Sequence, residues 1–247
     1  MDKNEDFRSM PEFAPLYKTL PYEYRDYERV RVFFKGNEEG IKELLPEPLE
    51  YLSNDVEAFV MHVPEMESGL EEYWEAGFLL TAKYKDIEGS HMVCEYVTDD
   101  SALCAGREIW GYPKKISNTN LEKEGEEIIG TMERKGKKVL QIKFKPTGQD
   151  IEEPAFFPRL QVRRIPKADG PGYDIDQLVI MRFAGDSKDF SASGIKSKRS
   201  GTAEVEIGKS KFDPLYKLKP IEVTGAVFTV GDFDLDYASE VIDLSDD

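Results

Sequence analysis

From Tyr27 onward the chain reads as short apolar–polar alternations interrupted by Gly, Pro, Asp and Asn, and this period of two constrains the fold more than any other feature. Val30, Val32 and Phe34 fall on one strand face, and Tyr27, Arg29, Arg31 and Phe33 on the other. Further strand-like runs lie near 56–63, 77–84, 91–97, 127–134, 138–145, 159–165, 176–183, 202–208 and 221–229. Asn37, ahead of Glu38 and Glu39, predicts the cap of a short helix through Leu45 that Pro46 and Pro48 end, so that PEPLE becomes a tight surface connection. A second helix is expected from a cap at Asp99 or Asp100 toward Trp110. About ten strands with two or three short helices, and no regular β-α alternation, predict a mainly β (α+β) fold: an antiparallel barrel or a pair of packed sheets. Without a low-complexity linker or a clear repeat, 1–247 reads as a single domain, with 1–24 a surface lead-in and 233–247 an acidic, partly frayed tail.

Composition excludes several function classes. A net charge of −16 argues against nucleic acid or an anionic membrane as partner, because both require clustered Lys and Arg. Any anionic substrate then needs a locally positive pocket. No stretch approaches the roughly 18 uninterrupted apolar residues of a membrane span, and no basic-then-apolar leader opens the chain, so a soluble, cytoplasmic protein is expected. Cys94 and Cys104 are too few for a disulfide framework and fit buried thiols in a reducing compartment. Two histidines, His62 and His91, leave no base for a hydrolase triad beyond themselves and too few ligands for the usual zinc sites; His91 and Cys94 read as plain strand residues. No GxGxxG, GxxxxGKS or GxxxxGKT occurs, so nucleotide binding has no sequence support; no cofactor or metal is expected. Lys196-Ser197-Lys198-Arg199 reads as a solvated loop. Asp232, Asp234 and Asp236 alternate like the opening of a calcium loop but lack its central glycine and closing glutamate.

One stretch is chemically suggestive: Gly106-Arg107-Glu108-Ile109-Trp110-Gly111-Tyr112-Pro113-Lys114-Lys115. A lysine attacks a carbonyl only as the free amine, and its ordinary pKa near 10.4 leaves a trace of amine at neutral pH. Burial lowers that pKa by up to about 3–5 units, and a neighbouring cation adds repulsion. Ile109, Trp110 and Tyr112 offer apolar walls, Pro113 stiffens the approach, and Lys115 supplies a second charge. On residues alone, a solvated surface pair and a reactive amine both remain open.

The segment resembles the active-site stretch of the acetoacetate decarboxylase family, in which GRE, three residues, an aromatic and PKK follow one another and the first lysine forms a Schiff base. LLPEPLE at 44–50, SGLEEYWEAG at 68–77 and FFPRLQVRRIPKADGPG at 156–172 resemble further family segments in the family's order, and YASEVID extends the likeness to span roughly 20–243. The resemblance implies a cone-like β-barrel with flanking antiparallel sheet and a few short helices, a homo-oligomer, no cofactor, and a small carbonyl or keto-acid substrate. It assigns Lys114 as the Schiff-base lysine, Lys115 as the neighbour credited with depressing its pKa, and Glu75 as a pocket carboxylate. In extended backbone the two lysines point to opposite faces, so desolvation by Trp110, Tyr112 and the barrel wall should outweigh repulsion from Lys115.

Two departures bear on the substrate. Aligned through PEPLE, the family's pocket arginine becomes Tyr27 and its second pocket glutamate falls near Val60. Tyrosine donates one hydrogen bond but supplies neither the charge nor the fork of a guanidinium; Arg29 or Arg25 is the expected replacement. The reading is therefore a Schiff-base decarboxylase of a small β-keto acid, by default acetoacetate. An aldolase-dehydratase acting on pyruvate-like 2-oxo acids and aldehydes is the alternative, and a non-catalytic carbonyl binder on the same fold stands third.

Overall fold

The structure, a computed structural model, describes residues 9–66, 69–182 and 194–245; the Ser68 that opens the SGLEEYWEAG segment lies outside them. Its strands are β1 (Tyr22–Lys35), β2 (Glu50–Val63), β3 (Tyr73–Tyr84), β4 (Ile87–Val97), β5 (Lys114–Ile116), β6 (Asn118–Glu124), β7 (Glu127–Arg134), β8 (Lys137–Pro146), β9 (Arg159–Pro166), β10 (Tyr173–Met181), β11 (Ile195–Ile207), β12 (Glu222–Leu235) and β13 (Glu240–Asp243). They form one thirteen-stranded sheet in the order β13-β10-β9-β4-β3-β2-β1-β12-β11-β8-β7-β6, with β5 added beside β4. Pairing is antiparallel except where β5 and β9 meet β4. The mainly β reading stands.

Helices α1 (Glu38–Leu44) and α2 (Asp100–Ala105) begin where the caps predict: Asn37 Oδ1 accepts from Gly40 N at 2.9 Å and Asp99 Oδ1 from Ala102 N at 2.7 Å. A π-helical turn over Gly106–Trp110 prolongs α2.

The period-two pattern sorts most of the buried apolar residues into two cores on opposite faces of the same strands, with a smaller third core around Leu160, Leu178 and Ile180. Val30, Val32, Phe34, Ala58, Val60, Phe78 and Leu80 face one core, closed by Ile128, Leu140, Ile142 and Phe144 where the sheet curls over so that β6 and β7 pack against β2 and β3. Tyr24, Tyr27, Phe33, Phe59, Met61 and Leu79 face the other, closed by α2, the π-turn, Tyr17, Leu20 and Phe156. Two of the sheet's register shifts change the parity beside the second core. Between Tyr24 and Tyr27, β1 spends one residue more than β12, with Asp26 at φ +53°; between Met92 and Cys94, β4 spends one more than β3.

Several sequence expectations are corrected. Tyr17, Leu20 and Tyr22 of the supposed surface lead-in are buried in the second core. Lys196-Ser197-Lys198-Arg199 lies within strand β11, where Lys196 pairs with Asp26 and Asp232 at 2.6 and 2.7 Å. The acidic tail continues β12 to Leu235 and then pairs as β13 with β10, so Asp232 and Asp234 are strand residues and not a loop. No helix is long and apolar enough to cross a membrane among the described residues.

Candidate active site

The GREIWGYPKK stretch is built to deliver one side chain. Gly111 closes the π-turn at φ +80°, where a Cβ would stand 2.7 Å from Arg163 Cα. Arg107 donates to the Lys114 carbonyl at 3.2 Å, Tyr17 OH donates to the Glu108 carboxylate, and Arg163 Nε donates to the Glu108 carbonyl at 2.9 Å. Gly106 leaves the space that the Lys114 stem fills, since a Cβ there would sit 2.6 Å from Lys114 Cδ and Cε. Lys114 then enters β5 directly opposite Glu95 of β4.

Lys114 Nζ is buried between two carboxyls: Glu75 Oε2 at 2.6 Å and Glu95 Oε2 at 3.4 Å. Glu75 reaches it from β3, and Tyr24 and Tyr73, whose hydroxyls lie 3.0 Å apart, stand beside it. Burial pushes the Lys114 ammonium down, but the adjacent Glu75 and Glu95 carboxylates push it up further, and the net direction is upward. Burial, and then the charge of Glu75, drive Glu95 well above the usual carboxylate range. Glu75, at the shorter distance, is the hydrogen-bonded partner of Lys114. The surroundings thus favour the Lys114 ammonium, opposite in direction to the depressed pKa expected from sequence.

Lys115 points the other way. Its Nζ lies 2.8 Å from Asp213, whose fully buried carboxylate also takes Arg134 at 3.1 Å. Burial alone would raise the Asp213 carboxyl; the hydrogen bond and charge of Lys115, with Arg134, bring it below its ordinary value. Asp213 therefore neutralises the cation that was to repel Lys114. The expectation of opposite faces holds, and Lys115 anchors β5 from behind. The covering wall of the site is α2, the π-turn and Tyr17-Leu20, on the sheet face opposite the core enclosed by β7 and β8.

Around Lys114 lies a cavity of about 70 Å³, several times the roughly 10–15 Å³ that one water requires on the same measure. Trp110 and Tyr112 line it as expected, with Trp110 Nε1 donating to the Asp236 carbonyl at 3.0 Å. Arg29 lines it from β1 and is buried, supplying the positive group sought there. Arg25 is exposed and paired with Glu23 and Asp234, because the β1 bulge turns it outward. Tyr27 does not line the cavity: it packs edge-on to Phe233 at 5.2 Å and under the Arg29 guanidinium at 5.7 Å. Val60 faces the opposite core against Gly130, and Phe59 and Met61 are what β2 presents to the cavity.

Two charged lining residues were not anticipated. Glu95 was hidden by parity: a regular β4 would place it away from Met92, but the bulge at Val93 brings both to the cavity. Arg159 lies inside FFPRLQVRRIP, where nothing separates it in sequence from Arg163 and Arg164. Buried, it donates to Ser90 Oγ at 2.8 Å and the Phe156 carbonyl at 3.0 Å. Burial, partly offset by Glu57 and Tyr112 and reinforced by Arg29 and Arg31, lowers it to about 10. His91 is a core residue with Nδ1 donating to the Leu160 carbonyl at 2.8 Å. Among the described residues no cluster of His, Cys, Asp and Glu has the geometry to hold a metal ion.

Comparison with known proteins gives a consistent result. A family model described as acetoacetate decarboxylase (ADC) matches residues 9–244. The acetoacetate decarboxylase of Streptomyces nogalater is 27% identical over 240 residues, 95% of each chain. The crystal structure of acetoacetate decarboxylase from Legionella pneumophila matches with a TM-score of 0.83 at 20% identity, over 98% of this chain and 95% of that one. The enduracididine biosynthesis enzyme MppR, solved with the condensation product of pyruvate and imidazole 4-carboxaldehyde, matches with a TM-score of 0.76 at 15% identity over 96% of both chains. At these identities the two structures speak for the fold alone.

Proposed function

Since the chain belongs to the acetoacetate decarboxylase family, we propose that it is a Schiff-base-forming decarboxylase of a small β-keto acid, with acetoacetate the first substrate to test. The observation that carries this reading is the buried Lys114 Nζ, 2.6 Å from Glu75, in a small cavity lined by Arg29 and Arg159. Those two guanidiniums give a protein of net charge −16 the local positive field that an anionic substrate needs.

The steps follow from the pair. Glu75 takes a proton from Lys114, and the amine adds to the ketone carbon. Glu75 returns the proton as water leaves, giving an iminium and restoring its own carboxylate. The C–C bond to the carboxylate then breaks, its electron pair forms a C=C bond as the C=N⁺ π pair moves onto nitrogen, and carbon dioxide leaves an enamine. Protonation at carbon regenerates an iminium, and water releases the ketone and Lys114. Trp110, Tyr112, Met61 and Phe59 limit water during these steps.

The second reading uses the same iminium on pyruvate and an aldehyde, and the fold shared with MppR favours keeping it in view. Incubation with acetoacetate, and separately with pyruvate plus an aromatic aldehyde, distinguishes them by carbon dioxide release and enone absorbance. The decarboxylase reading expects carbon dioxide from acetoacetate at a rate abolished in Lys114→Ala. Enone formation without carbon dioxide, or a rate indifferent to Lys114, overturns it.

A further inference from the structure

We propose that Glu95 is the acid that delivers a proton to the enamine carbon, a catalytic residue that this chain places on β4; the inference rests on the decarboxylase reading above.

Register and burial carry the argument. Glu95 stands opposite Lys114 across the parallel β4/β5 pair, so both side chains leave the sheet on the cavity face. Its Oε2 lies 3.4 Å from Nζ, has no hydrogen-bond partner, and belongs to a side chain only 4% exposed. The orientation depends on the Val93 bulge, without which the carboxyl would turn into the opposite core among Ala76 and Phe78. Glu75 and Glu95 therefore flank the amine at unequal distances of 2.6 and 3.4 Å, the nearer hydrogen-bonded to it and the farther within ion-pair distance only.

Proton accounting separates their roles. Forming the iminium consumes ketone and ammonium and yields water, with Glu75 returned to carboxylate; it holds no proton when the enamine appears. A second acid must then supply one. Tyr24 and Tyr73 are also close, but their hydroxyls bond each other and burial pushes Tyr24 up to about 12, a far weaker acid than a carboxyl. Glu95, kept neutral by burial and by Glu75, holds the proton. Its transfer forms the C–H bond and leaves a Glu95 carboxylate beside the new iminium, which it stabilises. Hydrolysis restores the Lys114 ammonium, and Glu95 regains its proton from solvent, accounting for the one proton that decarboxylation of a keto acid consumes.

Run in reverse, Glu95 first releases its proton to solvent and its carboxylate then removes one from a ketone bound as iminium, and this isolates the step from carbon dioxide loss. Acetone in deuterium oxide should exchange its methyl protons in the presence of the wild-type protein. Glu95→Gln, neutral and of the same shape, should still form a borohydride-trapped adduct at Lys114 but lose exchange by about a hundredfold or more, within the range a positioned acid–base group supplies. Glu95→Leu, which fills the site without a polar atom, should do the same. An adduct in both variants with exchange at the wild-type rate overturns the assignment to Glu95 and leaves the Schiff-base reading intact. No adduct in the wild-type protein overturns the Schiff-base reading itself.

Discussion

At the scale of single residues, the pocket divides its positive charges by task. Lys115 is held on the far side of β5 by Asp213, so its removal should not move the titration of Lys114. Lys115→Gln leaves the buried Asp213 with Arg134 alone and should cost about 1–3 kcal/mol of stability while the pH dependence of adduct formation at Lys114 stays put. A downward or upward shift of that profile would restore a charge-neighbour role to Lys115. Arg29 is placed to meet a carboxylate, and that predicts a split between substrates. In Arg29→Gln the KM for acetoacetate should rise by about ten- to a hundredfold, the equivalent of one charge-assisted hydrogen bond. Adduct formation with acetone, which has no carboxylate, should be unchanged; equal losses for both would make Arg29 a packing residue.

At the scale of elements, the π-turn and the two bulges decide what reaches the cavity. Gly106→Ala tests the first. Alanine is favoured over glycine in a helical segment by about 1 kcal/mol, yet its Cβ would press on the Lys114 stem at 2.6 Å. The variant should melt near the wild-type temperature and form the Lys114 adduct at least about tenfold more slowly; unaltered adduct formation would show that the stem has room to move. The strand pattern and both helix caps were legible in the sequence, because period two and short-range capping are local signals; Lys114 and Glu75 were singled out only through the resemblance to the acetoacetate decarboxylase family. Glu95 and the outward turn of Arg25 were not legible. The bulge at Val93 and the one after Tyr24 each reverse parity downstream, and a bulge is fixed by the partner strand's register, which no local alternation encodes. β5, β6 and β13 were missed for a related reason: three- to seven-residue strands of mixed polarity gain their pairing from the sheet around them.

At the scale of the whole molecule, the buried carboxyls set how stability varies with pH. Glu95 has a raised pKa in the folded state, so above the ordinary carboxyl value near 4.3 the unfolded chain has released a proton that the folded one retains. Stability from this group is complete below that value and is lost as pH rises through the folded pKa. Asp213, with its lowered pKa, acts in the opposite sense: its contribution is present above the ordinary aspartate value near 3.9 and is lost as pH falls through the folded one. Urea midpoints should therefore decline from mildly acidic toward alkaline pH in the wild-type protein and decline less in Glu95→Gln, which carries no proton to lose. Identical slopes in the two proteins would place the Glu95 pKa in the ordinary range.

All of this depends on Lys114 as a nucleophile that is stored as an ammonium and released by Glu75. The most direct measurement is borohydride reduction in the presence of acetoacetate at neutral pH, followed by mass analysis of the peptide containing Trp110-Gly111-Tyr112-Pro113-Lys114-Lys115. One reduced adduct per chain, located on Lys114 and absent from Lys114→Ala, is the predicted result. An unmodified chain, or an adduct carried by Lys115 with Lys114 untouched, would contradict the account.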